Sequence, residues 1–202
     1  MTQTTQLEWL FPIPLFRTQL EGFAEHREAL IGFANERYTQ NKGVKRSNVG
    51  GWHSDELREH YNAPPLDWVG RQIHACTSNG LARSRNITTP IDIQLDSSWF
   101  IINRKNNWNS PHTHMPAQWS GVLYLAVNES NAGDNGGRII FVDPIPLGPV
   151  YRNPINAIIE PKEGLMLIFP SYLTHMVEPH FSDEARISLS FNFRVTAQNP
   201  PG

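Results

Sequence analysis

Residues 165–195 run LMLIFPSYLTHMVEPHFSDEARISLSFNFRV. Residues 165–169 are continuously apolar and 187–195 alternate, with the shorter run 175–178 between them and Pro170, Pro179 and an acidic turn as punctuation. β-branched and aromatic side chains in short runs between turn residues make strands. Upstream, 91–94, 97–103, 119–127, 137–142 and 157–159 repeat the pattern, giving eight runs. The expectation is a mainly β chain folded as an antiparallel jelly roll.

The N-terminal part has another period. Residues 21–39 place Phe23, Leu30, Phe33, Ala34 and Tyr38 among charged residues, the spacing of an amphipathic helix. Pro64 and Pro65 are suited to open a second helix bearing Trp68, Val69, Ile73 and Cys76, with Asn79–Gly80 as its stop. One domain over 1–202 is expected, with a helical part, 1–90, on the outer face of a jelly-roll core, 91–202. Between the helices, 41–62 is polar and glycine-dotted, an excursion expected to fold over a site, with Trp52, His53 and Ser54 of GGWHS on the substrate side. Trp99 and Trp119 are expected in the core.

Within this framework PHTHMP (111–116) offers His112 and His114, and FPSYLTH (169–175) offers His175. Residues i and i+2 of a strand face one side, so the first pair can address one ion and His175 can close the site from another strand. Imidazole suits iron, zinc, copper and nickel, and three protein ligands leave positions open. The remaining histidines, His26, His53, His60, His74 and His180, sit in polar or turn contexts and keep structural readings. In ARISLSF, Arg186 and Ser188 share a face by the same rule, a guanidinium and a hydroxyl suited to hold a carboxylate at two points. The competing reading is an edge arginine paired with Asp183 or Glu184.

The 202 residues carry 17 basic and 19 acidic side chains, a formal charge of −2 that gives no electrostatic case for nucleic acid or an anionic membrane as partner. One cysteine, Cys76, excludes an internal disulfide and suits a reducing cytoplasm. The start, MTQTTQLEWLFPIPLF, lacks the pattern of a signal peptide, and no apolar run reaches spanning length. A soluble cytoplasmic protein is expected, with the apolar residues 9–16 available for a homodimer contact.

HTHMPAQWSGVLYL, NGGRIIFVDP, PKEGLMLIFPSYLTHMVEP and RISLSFNF resemble the iron(II)- and 2-oxoglutarate-dependent oxygenases, specifically a small bacterial and phage group of 2OG-Fe(II) oxygenases. LFPIPLF resembles that group's opening, so the likeness runs nearly the length of the chain. A more distant similarity is to aspartyl/asparaginyl β-hydroxylases. The resemblance implies a double-stranded β-helix, iron(II), 2-oxoglutarate and dioxygen, with hydroxylation of a small molecule or a protein side chain and release of succinate and CO2. It implies His112 and His175 as metal ligands, Arg186 and Ser188 on the distal carboxylate of 2-oxoglutarate, and Tyr124 as a further donor to it.

At His114 the family pattern has a carboxylate, and this chain has imidazole. Three histidines, two ligands, or an acid from elsewhere such as Asp143 or Glu178 all remain open at this point. A cupin-like isomerase, a lyase or a 2-oxoglutarate-independent dioxygenase could use three histidines equally well, and a binding module could keep the pocket. Only the oxygenase reading requires the Arg186–Ser188 pair.

Overall fold

The computed structural model describes residues 12–128, 136–145 and 156–197. Its elements in chain order are β1 (Phe16–Gln19), α1 (Phe23–Gln40), β2 (Asn48–Val49), β3 (Trp52–His53), a 3-10 turn at Arg58–His60, α2 (Leu66–Arg85), β4 (Ile91–Asn103), β5 (Trp108–His112), β6 (Trp119–Ala126), β7 (Ile139–Val142), β8 (Asn156–Ile159), β9 (Leu165–Pro170), β10 (His175–Val177) and β11 (Arg186–Ala197). They form a six-stranded sheet, β1-β9-β6-β11-β4-β3, and a five-stranded sheet, β2-β5-β10-β7-β8. Every pairing is antiparallel. This is the expected mainly β jelly roll.

Two apolar clusters account for the layering. Leu30 and Ala34 of α1 and Leu66, Val69 and Ile73 of α2 pack with Phe100, Leu123, Met166, Leu189, Phe191 and Phe193, covering the outer face of the large sheet. Val122, Tyr124, Leu167 and Phe169 of the same sheet meet Ile139, Phe141 and Ile159 of the small sheet in a second cluster. β6 and β9 are therefore covered on both sides, which explains runs of apolar residues without alternation.

The structure departs from several expectations. The runs 91–94 and 97–103 are one strand, because β4 carries a bulge: Ser97 pairs with Asn192 and Leu95 with Phe193, so Asp96 lies opposite no partner. Asn79–Gly80 does not stop α2, which continues to Arg85 and ends at the left-handed Asn86. Gly80 instead admits the Phe16 ring of β1, which a Cβ at that position would strike. The N-terminal third also supplies strands, β1 and β3 to the large sheet and β2 to the small one.

The segment expected to close over the site is tied down at both ends. β2 pairs with β5 and β3 with β4, and Trp52 donates Nε1–H to Asn41 O at 3.0 Å with Tyr38 edge-on to its ring. Trp52 is an anchor rather than a closing residue, since its indole and its backbone are already engaged. Of the apolar segment 9–16, residues 9–11 lie outside the described residues. The segment 144–156, between β7 and β8 in the chain, also falls mostly outside them.

Gly121 lies under Phe191: a Cβ added there would strike the ring and stand 2.7 Å from Leu167 O. Gly121→Ala should destabilise the protein by about 1–3 kcal/mol by overpacking. A Gly121→Ala/Phe191→Leu double variant should recover part of that in urea unfolding; additive losses would mean the clash is absent.

Candidate metal centre

Cross-strand register builds the centre. His175 of β10 lies directly opposite His112 of β5. His114 is not on that strand, which ends at His112; it sits in the following turn, donating its amide to Ser171 O at 2.9 Å and accepting at its carbonyl from Ala117 N at 3.1 Å. The grouping expected from i, i+2 spacing is present, but a turn rather than a strand delivers its second member. The three imidazoles converge, with ring centroids 4.4, 4.9 and 5.0 Å apart, and their candidate ligand nitrogens all lie within 4.8 Å of one another.

Hydrogen bonds orient the rings. His112 Nδ1 lies 2.7 Å from Ser110 O and His175 Nδ1 lies 2.9 Å from Leu173 O. A carbonyl only accepts, so both Nδ1 atoms carry the proton and both Nε2 atoms present a lone pair. Ser47 Oγ–H reaches His112 Nε2 at 3.4 Å. Burial, with mutual repulsion adding to it, pushes His114 down to about 3. Burial first, and then His112, push His175 down to about 4. His112 is also lowered by burial. The set is neutral at physiological pH, as metal ligands must be.

Neither acid considered as a third ligand is in this group. Glu178 is held by Arg138 through both carboxylate oxygens, at 2.5 and 2.8 Å. Asp143 accepts from Ile145 N at 2.8 Å and lines another depression, beside Leu15 and Leu173. Among the described residues the only cluster able to hold a metal is all histidine.

The three histidines line a narrow cavity of ≈ 50 Å³ between the sheets, together with Tyr124, Arg186 and Ser188. β11 alternates: Ile187, Leu189, Phe191 and Phe193 join the helix-side core, while Arg186, Ser188 and Ser190 face the cavity. Arg186 is 2 % exposed and is not the edge residue of the competing reading, since Asp183 pairs with Lys105 and no carboxylate among the described residues bridges to Arg186. Its Cζ stands 4.9 Å from the Tyr124 ring centroid, and Arg186 Nε and Tyr124 Oη are buried without a hydrogen-bond partner. Burial works against the guanidinium charge and raises the Tyr124 pKa, so the phenol stays a donor.

A larger cavity of ≈ 570 Å³ opens alongside and shares Ser47, Trp99, His112 and His114 with the first. Its wall is the His53–Trp99 stack, with centroids 5.2 Å apart and planes at 7°. Trp99 therefore lines both cavities, where the sequence suggests core. The signal available is its place beside Ser97 and Ser98, polar neighbours on a strand whose other face is apolar.

Residues 97–192 match the model of a family described as "Putative 2OG-Fe(II) oxygenase". The match covers just under half of the chain, and over that segment the chain resembles this family. The segment contains every residue of the metal cavity except Ser47. No curated protein matches the chain. Among solved structures, a Pseudomonas putida prolyl-4-hydroxylase is 18% identical, with 89% of this chain and 92% of that one covered and a TM-score of 0.60. HygX from Streptomyces hygroscopicus, solved with nickel, 2-oxoglutarate and hygromycin B, is 11% identical with a TM-score of 0.58, covering 90% of this chain and 82% of that one. A prolyl hydroxylase from Trichoplax adhaerens in complex with a hypoxia inducible factor peptide is 13% identical, also at 0.58, covering 88% and 83%. At these identities the structures report a shared fold.

Two expectations follow. Because the folded protein keeps His114 and His175 neutral far below the ordinary histidine value of 6.5, the unfolded chain takes up protons that the folded one refuses once the pH falls below that value. Apo-protein stability should therefore fall between pH 6.5 and about 4, and His114→Gln should lessen the fall; an unchanged slope in urea midpoints across this range would contradict the burial argument. Separately, His112→Ala or His175→Ala should abolish stoichiometric iron(II) binding while Asp143→Ala leaves it intact, as read by metal analysis after gel filtration.

Proposed function

We propose that the protein is an iron(II)- and 2-oxoglutarate-dependent oxygenase that hydroxylates a small molecule or a protein side chain, in a single domain built from the whole chain. The observation that carries this reading is the buried Arg186 guanidinium, without a carboxylate partner among the described residues, in the same cavity as three neutral imidazoles. An isomerase of cupin type has use for the histidines and none for that cation. A buried guanidinium is costly unless an anion meets it.

In this reading His112, His114 and His175 hold the metal through their ring nitrogens. Arg186, with Ser188 and the Tyr124 hydroxyl beside it, holds the far carboxylate of 2-oxoglutarate. Bound iron, the keto acid and dioxygen together supply the oxidation, with succinate and CO2 released. The chain itself contributes orientation and dryness: the co-substrate is gripped at its far end, and Phe169, Val122 and Ile139 exclude water from the narrow cavity. The prime substrate is seated in the larger cavity against His53 and Trp99, which puts the bond to be oxidised next to His112 and His114. HygX, solved with hygromycin B, and the Trichoplax prolyl hydroxylase, solved with a peptide fragment, support a fold that admits either a small molecule or a peptide.

No helix among the described residues is long and apolar enough to cross a membrane. A cytoplasmic location accords with the single free, buried Cys76. A homodimer contact through the apolar N-terminal segment belongs to the same proposal, and size measurement in solution tests it.

With iron(II) and oxygen present, the wild type should convert 2-oxoglutarate to succinate, slowly even without prime substrate. Arg186→Ala should weaken 2-oxoglutarate binding on the order of a hundredfold, because the ligand's carboxylate is left unpaired in a buried site, while iron stays bound. Equal affinity in the variant would reject the assignment.

A further inference from the structure

His180 lies in the turn between β10 and β11 and is 2 % exposed. Its backbone is fixed from two sides: its amide donates to Asn107 O at 2.9 Å and its carbonyl accepts from Asn106 N at 2.6 Å. Its ring is fixed too, with Nε2 at 2.6 Å from Glu184 O. That carbonyl can only accept, so Nε2 carries the proton and Nδ1 presents a lone pair. Burial, with Arg186 nearby, lowers the His180 pKa and keeps the ring neutral. Nδ1 is buried and has no hydrogen-bond partner.

An unpaired donor, Arg186 Nε, and this acceptor lie near the same glycine. A Cβ placed on Gly137 would stand 3.4 Å from His180 Nδ1, 3.1 Å from Arg186 Cδ and 3.5 Å from Arg186 Nε. An acceptor without a donor and a donor without an acceptor thus lie within 3.5 Å of one point beside the α-carbon of Gly137. Glycine leaves that space open, and its φ of +71° disfavours any other residue there.

We infer that His180 is a positioning residue for Arg186: its Nδ1 lone pair accepts from Nε–H through one bridging water, and so turns the two terminal guanidinium nitrogens toward the far carboxylate of the keto-acid co-substrate. This deepens the proposed function and rests on its reading of Arg186. It makes His180 a determinant of selectivity for a dicarboxylic keto acid, acting through the arginine and touching no substrate.

The test uses nickel(II)-loaded protein, which binds without turning over, and calorimetric titration with two ligands. 2-Oxoglutarate carries the far carboxylate, and 2-oxobutyrate has the same keto-acid end without it. His180→Phe should weaken 2-oxoglutarate binding on the order of tenfold, the worth of one charge-assisted hydrogen bond, and leave 2-oxobutyrate unchanged. His180→Gln, which keeps an acceptor, should lose less, and Gly137→Ala, which fills the gap, should behave like His180→Phe. The inference is overturned if 2-oxoglutarate affinity is unaffected in the Phe and Ala variants, or if both ligands weaken alike, the mark of a structural role. Should Arg186→Ala itself bind 2-oxoglutarate like the wild type, the underlying anchor reading fails first and this inference with it.

Discussion

A guanidinium charge buried between two sheets sets the terms for the rest of the molecule. Moving such an ion out of water costs several kcal/mol even after relaxation, and a bulk apolar core could not repay it. β11 meets the constraint by alternation. Its odd-numbered residues, Ile187 to Phe193, seal the large sheet against the helices, while Arg186, Ser188 and Ser190 look inward. β4 pairs with the strand over its whole length and β6 with Ile187 to Phe193, which holds the backbone carrying Arg186 in place. The charge is trapped, and the cavity beside it becomes the place where an anion is worth most.

The metal set obeys related electrostatics. Three imidazoles bring no negative charge, so an ion bound by them keeps its full positive charge, where a carboxylate ligand would cancel part of it. In the proposed reading a dianionic keto acid would be attracted at both ends, by the ion and by Arg186. The acids that could have supplied a carboxylate are committed elsewhere, Glu178 to Arg138 and Asp143 to a backbone amide. The low proton affinity of His114 and His175 has the same origin, since clustering bases in a dry space penalises every added proton.

How much of this the sequence discloses depends on where the information resides. Strands with an apolar face, such as β9 and β11, are legible because burial writes a period into the chain. β2, β3 and β5 are not: they are short or polar, and pairing partners rather than side chains define them. The β4 bulge at Asp96 looks like a turn because a polar residue breaks the run in either case. Gly80 carries a helix-stop signature that tertiary packing overrides, the Phe16 ring using the space that a side chain would fill. The histidines and Arg186 stand out because few other residue types do that chemistry. His180 does not, because its significance lies in an unmet lone pair, visible only in three dimensions.

The same distinction bears on how the site admits a substrate. Polar, glycine-rich sequence between helices suggests a flap, yet the segment from Asn41 to Ser54 stitches the two sheets together, β2 to the small one and β3 to the large. Its glycines serve close approach rather than motion: a side chain at Gly43 would strike the Trp52 ring, and one at Gly51 would strike Asn103 Oδ1. The strap therefore delivers Ser47 to His112 and His53 to Trp99 as fixed walls. Because Ser47 and Trp99 line both cavities, the larger one reaches the histidines along walls that are already built.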